Sequence, residues 1–146
     1  MEVLDLVAIA RFCDAAFDGN PSVRDLEPEL FAVVDDGDAL SIWRYGPVDH
    51  ETVAHDVVLP ATARAVVLTA GGWVAPSDDG DTMVAPSLHP LRRRVHATTV
   101  VGNDGEIVAV LRTGSDPEPR VVAGACEGRV PAALVRCWQR HLRLAA

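Results

Sequence analysis

Apolar and polar positions follow two periods along this chain, which predict helices at both ends and strands between them. From Met1 to Phe17, apolar residues recur at spacings of three and four, as on one face of an amphipathic helix. The inward positions are Val3, Leu6, Ala10, Cys13 and Phe17. The same spacing from Val130 to Leu144 predicts a C-terminal helix, and Asp49 is expected to cap a short helix that ends near Val57.

Short apolar runs joined by tight turns predict the strands. Runs 31–34 and 39–44 flank Asp36-Gly37. An Asp-Gly pair in that position favours a hairpin, because the tight turn needs positive φ. Residues 63–70 are apolar on both faces, which is typical of a strand covered on both sides. Gly71-Gly72 then indicates a bulge or a close backbone approach.

The second half of the chain continues the strand pattern. Residues 92–101 alternate, so that Arg92, Arg94, His96, Thr98 and Val100 are expected on one face of a strand. A second hairpin turn is predicted at 102–105, followed by a central run at 107–111. We expect a brief strand at 82–84 and an edge strand at 120–123.

The order of these elements predicts a single α+β domain, residues 1–146. Because hairpins dominate, the sheet should be mostly antiparallel, with the N- and C-terminal helices packed on it in two layers. A two-layer arrangement is favoured over a barrel because two amphipathic helices need a face to cover.

The charge of the chain narrows the classes of partner. A formal net charge of -8 argues against non-specific binding to nucleic acid or to an anionic membrane surface. Residues 1–60 hold thirteen acidic and three basic residues, whereas residues 61–146 hold eight and ten. This asymmetry permits self-association. All the basic residues are arginine, which indicates a high-GC genome rather than a selected arginine chemistry.

Cysteine usage and the N-terminus predict a cytoplasmic protein. The three cysteines, Cys13, Cys126 and Cys137, are odd in number and lack metal-ligand spacing. No apolar run is long enough to span a bilayer, and the N-terminus is acidic where a signal peptide would be basic. The sequence has no P-loop and no dinucleotide fingerprint, so we expect no cofactor.

His50-Glu51-Thr52-Val53-Ala54-His55 differs from the zinc protease motif by one residue. In that motif, two histidines four apart share one helix face. Here they are five apart, so they point about 140° away from each other around a helix with 3.6 residues per turn. We expect a solvated helix in which Glu51 pairs with His55, and no metal.

The segment from Pro86 to Arg94 is the predicted binding corner. Pro86 and Pro90 restrain it to extended conformations, which would place Ser87 and His89 on the same side. Arginine would supply forked donors for an anion or a carboxylate. A rigid structural turn, an anion or partner site, and a Ser–His nucleophile pair are all compatible with these residues. The candidate binding residues are Trp73, Ser87, His89, Arg92, Arg94 and His96.

The middle third of the chain resembles a group of small uncharacterised bacterial and phage proteins. In that group a hydrophobic strand ends in Trp, and after a variable loop come Pro-Ser-x-His-Pro-x-Arg, a strand and a hairpin. The matching residues here run from Val66 to Trp73, from Pro86 to Arg92, and from Val95 to Leu111. The group often has Glu-Ala before the Trp and Glu two residues after the Arg, where this chain has Gly71-Gly72 and Arg94. The resemblance implies a shared corner and no known activity.

These observations lead to three hypotheses of function. The first is a non-enzymatic domain that acts by self-association or by binding another protein, with Trp73, His89 and Arg92 in recognition or structure. The second is a small hydrolase or anion-binding enzyme that uses Ser87, His89 and Arg92. The third is a metal protein that uses His50, His55 or His89.

Overall fold

The computed structural model describes residues 3–18, 28–77, 80–82, 93–113, 118–124 and 129–145. The helices are α1 (Leu6–Asp18), α2 (His50–His55) and α3 (Arg129–Ala145). The strands are β1 (Glu29–Asp35), β2 (Leu40–Pro47), β3 (Ala63–Ser77), β4 (Gly80–Thr82), β5 (Arg93–Gly102), β6 (Glu106–Thr113) and β7 (Arg120–Ala123).

Six strands form one antiparallel sheet in the order β2-β1-β3-β5-β6-β7, and β4 pairs with the last residues of β3. Each neighbouring pair is antiparallel. The helices pack on this sheet, so the predicted α+β class and the mostly antiparallel sheet are confirmed. β3 lies in the interior of the sheet between β1 and β5, as its continuous apolar pattern predicted.

The two terminal helices cover opposite faces of the sheet. Leu6, Ala10 and Cys13 of α1 pack with one set of alternating strand residues, which includes Val67 and Val100. Residues of α3, such as Leu134 and Trp138, pack on the other set together with α2. The expected two-layer arrangement is therefore wrong in this respect. Since the central strands are apolar on both faces, each face needs its own helical cover, and the result is three layers.

Both predicted hairpin turns are confirmed. Gly37 has φ 99°, in the turn that joins β1 to β2. In the turn that joins β5 to β6, Asn103 has φ 53° and Gly105 has φ 118°. Asparagine tolerates this left-handed conformation because its short side chain hydrogen-bonds locally. The Asn103 side-chain amide also makes two hydrogen bonds with the backbone of Leu4. Leu4 N–H donates to Oδ1 at 2.9 Å, and Nδ2 donates to the Leu4 carbonyl. This turn therefore holds the segment that leads into α1.

Two local expectations are corrected, and a third can be seen only in part. α1 begins at Leu6, where the Asp5 carboxylate accepts a hydrogen bond from Ala8 N–H, so Val3 precedes the helix and is exposed. Gly71 and Gly72 pair in register with β5, without a bulge. A brief strand lies at Gly80–Thr82, and residues 83 and 84 of the strand expected at 82–84 lie outside the described residues. No described helix is long and apolar enough to cross a membrane.

Candidate functional sites

Polar side chains gather on the α1 face of the sheet, at the end towards the C-terminus of α1. Across the strands, Glu29 pairs with Thr69 and Thr69 pairs with Thr98. One row further out, Gly71 pairs with His96 and His96 pairs with Arg112. With Asp14 of α1 these side chains form what we call the polar cluster: Asp14, Glu29, Thr69, His96, Thr98 and Arg112.

An ion pair between α1 and β6 holds the centre of the polar cluster. Arg112 Nη2 donates to Asp14 Oδ2 at 2.6 Å, and Arg112 Nε donates to Asp14 Oδ1 at 3.3 Å. The Asp14 side chain is 2% exposed and that of Arg112 is 23% exposed. The helical pattern places Asp14 on the polar side of α1, and the structure corrects this. The forked guanidinium satisfies the buried carboxylate, so the charge can lie against the sheet.

His96 is half-buried beside this ion pair. Burial lowers the pKa of the imidazole, Asp14 raises it, and Arg112 lowers it. Because burial disfavours the imidazolium, the neutral form is favoured in the folded protein. The neighbouring Thr98 is fully buried, and its hydroxyl has no hydrogen-bond partner among the described residues. A neutral imidazole and an unpaired hydroxyl can each exchange a hydrogen bond with a ligand that reaches them.

At the edge of the same face, Glu29 of β1 accepts a hydrogen bond from the Arg44 guanidinium of β2. The Glu29 side chain is largely buried, whereas that of Arg44 is mostly exposed. This pair ties the edge strand to its neighbour and leaves the buried carboxylate with a charge partner.

Only part of the predicted binding corner can be placed. His96 lies on the α1 face with Thr98 and Val100, as the alternation of β5 predicted. Trp73 of β3 pairs through its backbone with Arg94 of β5. The side chains of Trp73 and Arg94, and the whole of Ser87, His89 and Arg92, lie outside the described residues. Their roles stay predictions.

A cleft lies at the opposite end of the sheet, where the two hairpin turns and residues 61–64 meet α3. Its volume is about 970 Å³. We call it the hairpin cleft, and its lining includes Trp43, Asp35, Asp36, Arg64, Asp104, Glu106, Trp138 and Leu142. This cleft was not predicted from the sequence. The sequence does contain one signal for this cleft. The β1–β2 and β5–β6 turns are both rich in acidic residues, and in an antiparallel sheet both turns fall at the same end.

The edge strand β2 presents large apolar side chains to solvent on both faces. Those that are exposed are Leu40, Ile42, Trp43 and Tyr45. Among the described strands, β2 pairs with β1 alone, so its other edge is left without a strand. We call this surface the β2 edge. The sequence predicts this strand but not its position at the edge, because an apolar run predicts burial and a local pattern does not encode strand order.

Glu51 of α2 pairs with His55, as their spacing of four residues predicts. Asp49 caps the helix by accepting from Thr52 N–H at 2.8 Å. The Glu51 carboxylate lies between the two histidines: Oε1 is 3.6 Å from His50 Nε2, and Oε2 is 3.6 Å from His55 Nε2. These groups are on the surface, where such pairs contribute little. Among the described residues, no group of three or more His, Cys, Asp or Glu side chains has an arrangement that could hold a metal ion.

Comparisons of the chain with models of protein families, with curated proteins and with solved structures find no match.

Proposed function

We propose that this protein is a cytoplasmic assembly subunit that pairs with a second copy of itself through the β2 edge. The observation that carries the proposal is the exposure of four large apolar side chains on one edge strand. Exposed apolar patches on soluble domains mark interaction surfaces. An open strand edge is a template for another strand. The buried, free thiols of Cys13 and Cys137 suit a reducing compartment.

The geometry of the β1–β2 hairpin defines which backbone groups are available on the β2 edge. Asp36 N–H donates to Ala39 C=O at 3.2 Å across the turn. Hydrogen-bonded pairs alternate with non-bonded pairs in an antiparallel ladder. From Asp36–Ala39 the bonded pairs therefore continue to Val34–Ser41. The N–H and C=O groups of Leu40 and Ile42 consequently point outward, away from β1.

A twofold axis at Ile42 makes this edge complementary to itself. Ile42 would exchange two backbone hydrogen bonds with the partner's Ile42, and Trp43 would lie across from the partner's Ser41. Arg44, the one charged residue of β2, would face the partner's Leu40, so like charges do not meet. The pairing stops at Gly46-Pro47, since proline has no N–H to donate.

Light scattering after size exclusion tests the proposal. The wild-type protein should elute as a dimer, and Ile42→Lys should weaken dimerisation by at least about tenfold, because two ammonium groups would meet at the twofold axis. Phe12→Lys is the matched control, since Phe12 is exposed on α1 and away from the β2 edge. Circular dichroism establishes that both variants are folded. A wild type that stays monomeric at high concentration, or an Ile42→Lys variant that dimerises normally, would disprove the pairing.

A cysteine at the axis tests the register directly. In a Cys126→Ser background, Ile42→Cys should form a disulfide-linked dimer on mild oxidation, because bonded pairs of an antiparallel ladder have Cα atoms roughly 5.5 Å apart. Leu40→Cys should cross-link poorly, since its partner in this register is Arg44. Efficient cross-linking at Leu40 and none at Ile42 would exclude this register.

A further inference from the structure

The hairpin cleft combines an apolar floor with an aromatic wall. Val34, Ala63 and Trp138 are buried beneath it. Trp43, whose surface is 52% exposed, and Leu142 stand beside it. The volume of about 970 Å³ is near the upper end of the range for sites that bind small organic molecules.

The charges around this floor are mostly negative. Four acidic residues line the cleft: Asp35, Asp36, Asp104 and Glu106. One arginine, Arg64, lines it as well and already lies 3.4 Å from Asp35. Hydrogen bonds from Ala39 N–H and the Ser41 hydroxyl lower the pKa of Asp36, which therefore remains ionised at neutral pH. The field inside the cleft thus favours a positive charge.

We propose that the hairpin cleft binds a small organic cation with an apolar or aromatic body, such as an arylalkyl amine. The body would contact the apolar floor, and the charged group would lie between the acidic rim and the face of Trp43. The ring of tryptophan attracts cations, and carboxylates nearby add to that attraction. An uncharged ligand would gain only the apolar contact, and an anion would be repelled.

Three probes that share a phenyl ring and differ in charge test this assignment. They are 2-phenylethylammonium, 2-phenylethanol and 3-phenylpropanoate. Amide chemical shifts of the ¹⁵N-labelled protein should move at the β1–β2 turn, the β5–β6 turn and α3 when the ammonium compound is added. The alcohol should bind at least roughly threefold more weakly, and the carboxylate should give no saturable shifts. Equal affinity for all three probes, or preference for the carboxylate, would overturn the proposal.

A pair of single-charge variants locates the cation. Asp104→Asn removes a carboxylate that lines the cleft, and it should weaken binding of the ammonium probe by roughly two- to fivefold. Asp38→Asn removes the same charge from an exposed position that does not line the cleft, and it should leave the affinity unchanged. Equal losses in the two variants would show that the net charge of the chain attracts the probe, and the specific site would then be rejected.

Discussion

His96 and Asp14 show how single side chains acquire their properties from contacts made far along the sequence. Asp14 is buried because Arg112, 98 residues later, reaches it with two donors. His96 pairs across the ladder with that same arginine and is half-buried. The surroundings of both side chains are therefore set by the strand register and by the position of α1 on the sheet, and no window of neighbouring residues contains this information.

The lowered pKa of His96 predicts how stability changes with pH. Since the pKa is lower in the folded chain than in the unfolded chain, the unfolded state binds more protons in the interval between the two values. Stability contributed by His96 is therefore complete above the unfolded pKa of about 6.5 and falls as pH decreases towards the folded value. Urea unfolding between pH 8 and pH 5 should show this fall, and His96→Gln should reduce it.

His55→Gln is the matched control for that experiment. His55 is exposed on α2, so its replacement should leave the slope of stability against pH close to that of the wild type. If the His96→Gln protein kept the full slope, the proton uptake would have to occur at other groups.

At the scale of the elements, hydrogen bonds from α3 stabilise the C-terminal end of α2. The six-residue α2 is too short to be stable alone. The Arg140 guanidinium of α3 donates to the carbonyls of Ala54 and Val57, with the bond to Val57 at 2.6 Å. The helical pattern predicts that Arg140 points outward into solvent, and the structure corrects this. The arginine satisfies carbonyls that a helix leaves without partners at its C-terminus.

Replacing Arg140 should therefore loosen α2. Arg140→Met keeps the aliphatic stem and removes the donors, and it should lower the free energy of unfolding by roughly 1–3 kcal/mol. Amide exchange in α2 should accelerate more than exchange in the sheet. Arg136→Met, on the exposed side of the same helix, should change either quantity little. Equal effects of the two substitutions would mean that α2 is held by its apolar contacts alone.

At the scale of the whole molecule, the elements and the antiparallel class could be predicted from local pattern, and the layering could not. Local residue types are enough to predict the Asp-Gly turn at Gly37 and the central position of β3, whose run is continuously apolar. The side of the sheet that each helix covers depends on chain crossings, which leave no periodic signal. For the candidate sites, the alternation of β5 placed His96 correctly. The β2 edge and the hairpin cleft arise from strand order and were not predicted.

Two buried thiols on opposite faces can test whether the chain is one cooperative domain. Burial raises the pKa of Cys13 to about 11, and burial also raises the pKa of Cys137. Cys13 lies on the buried face of α1, and Cys137 lies on the buried face of α3. Neither thiol should react with an aromatic disulfide reagent until the structure opens. We expect labelling to be slowed by at least about a thousandfold relative to the unfolded chain.

The test needs two single-thiol proteins in a Cys126→Ser background, one with Cys13→Ala and one with Cys137→Ala. Labelling rates across a urea series should give both thiols an opening free energy equal to that of their own variant's global unfolding. A clearly lower value for Cys13 alone would show that α1 detaches as a separate unit, and the single-domain prediction would fail.

The two ends of the strand order differ in a way that limits growth. β7 is four residues long, begins with the charged Arg120 and follows Pro119, whereas β2 is eight residues long and exposes four large apolar side chains. Short, charged edges resist the addition of a strand. Of these two ends, β2 is therefore the one that suits the proposed strand pairing. In the proposed dimer, pairing about a twofold axis would occupy the β2 edge of both copies, so no β2 edge would be left from which a fibre could grow.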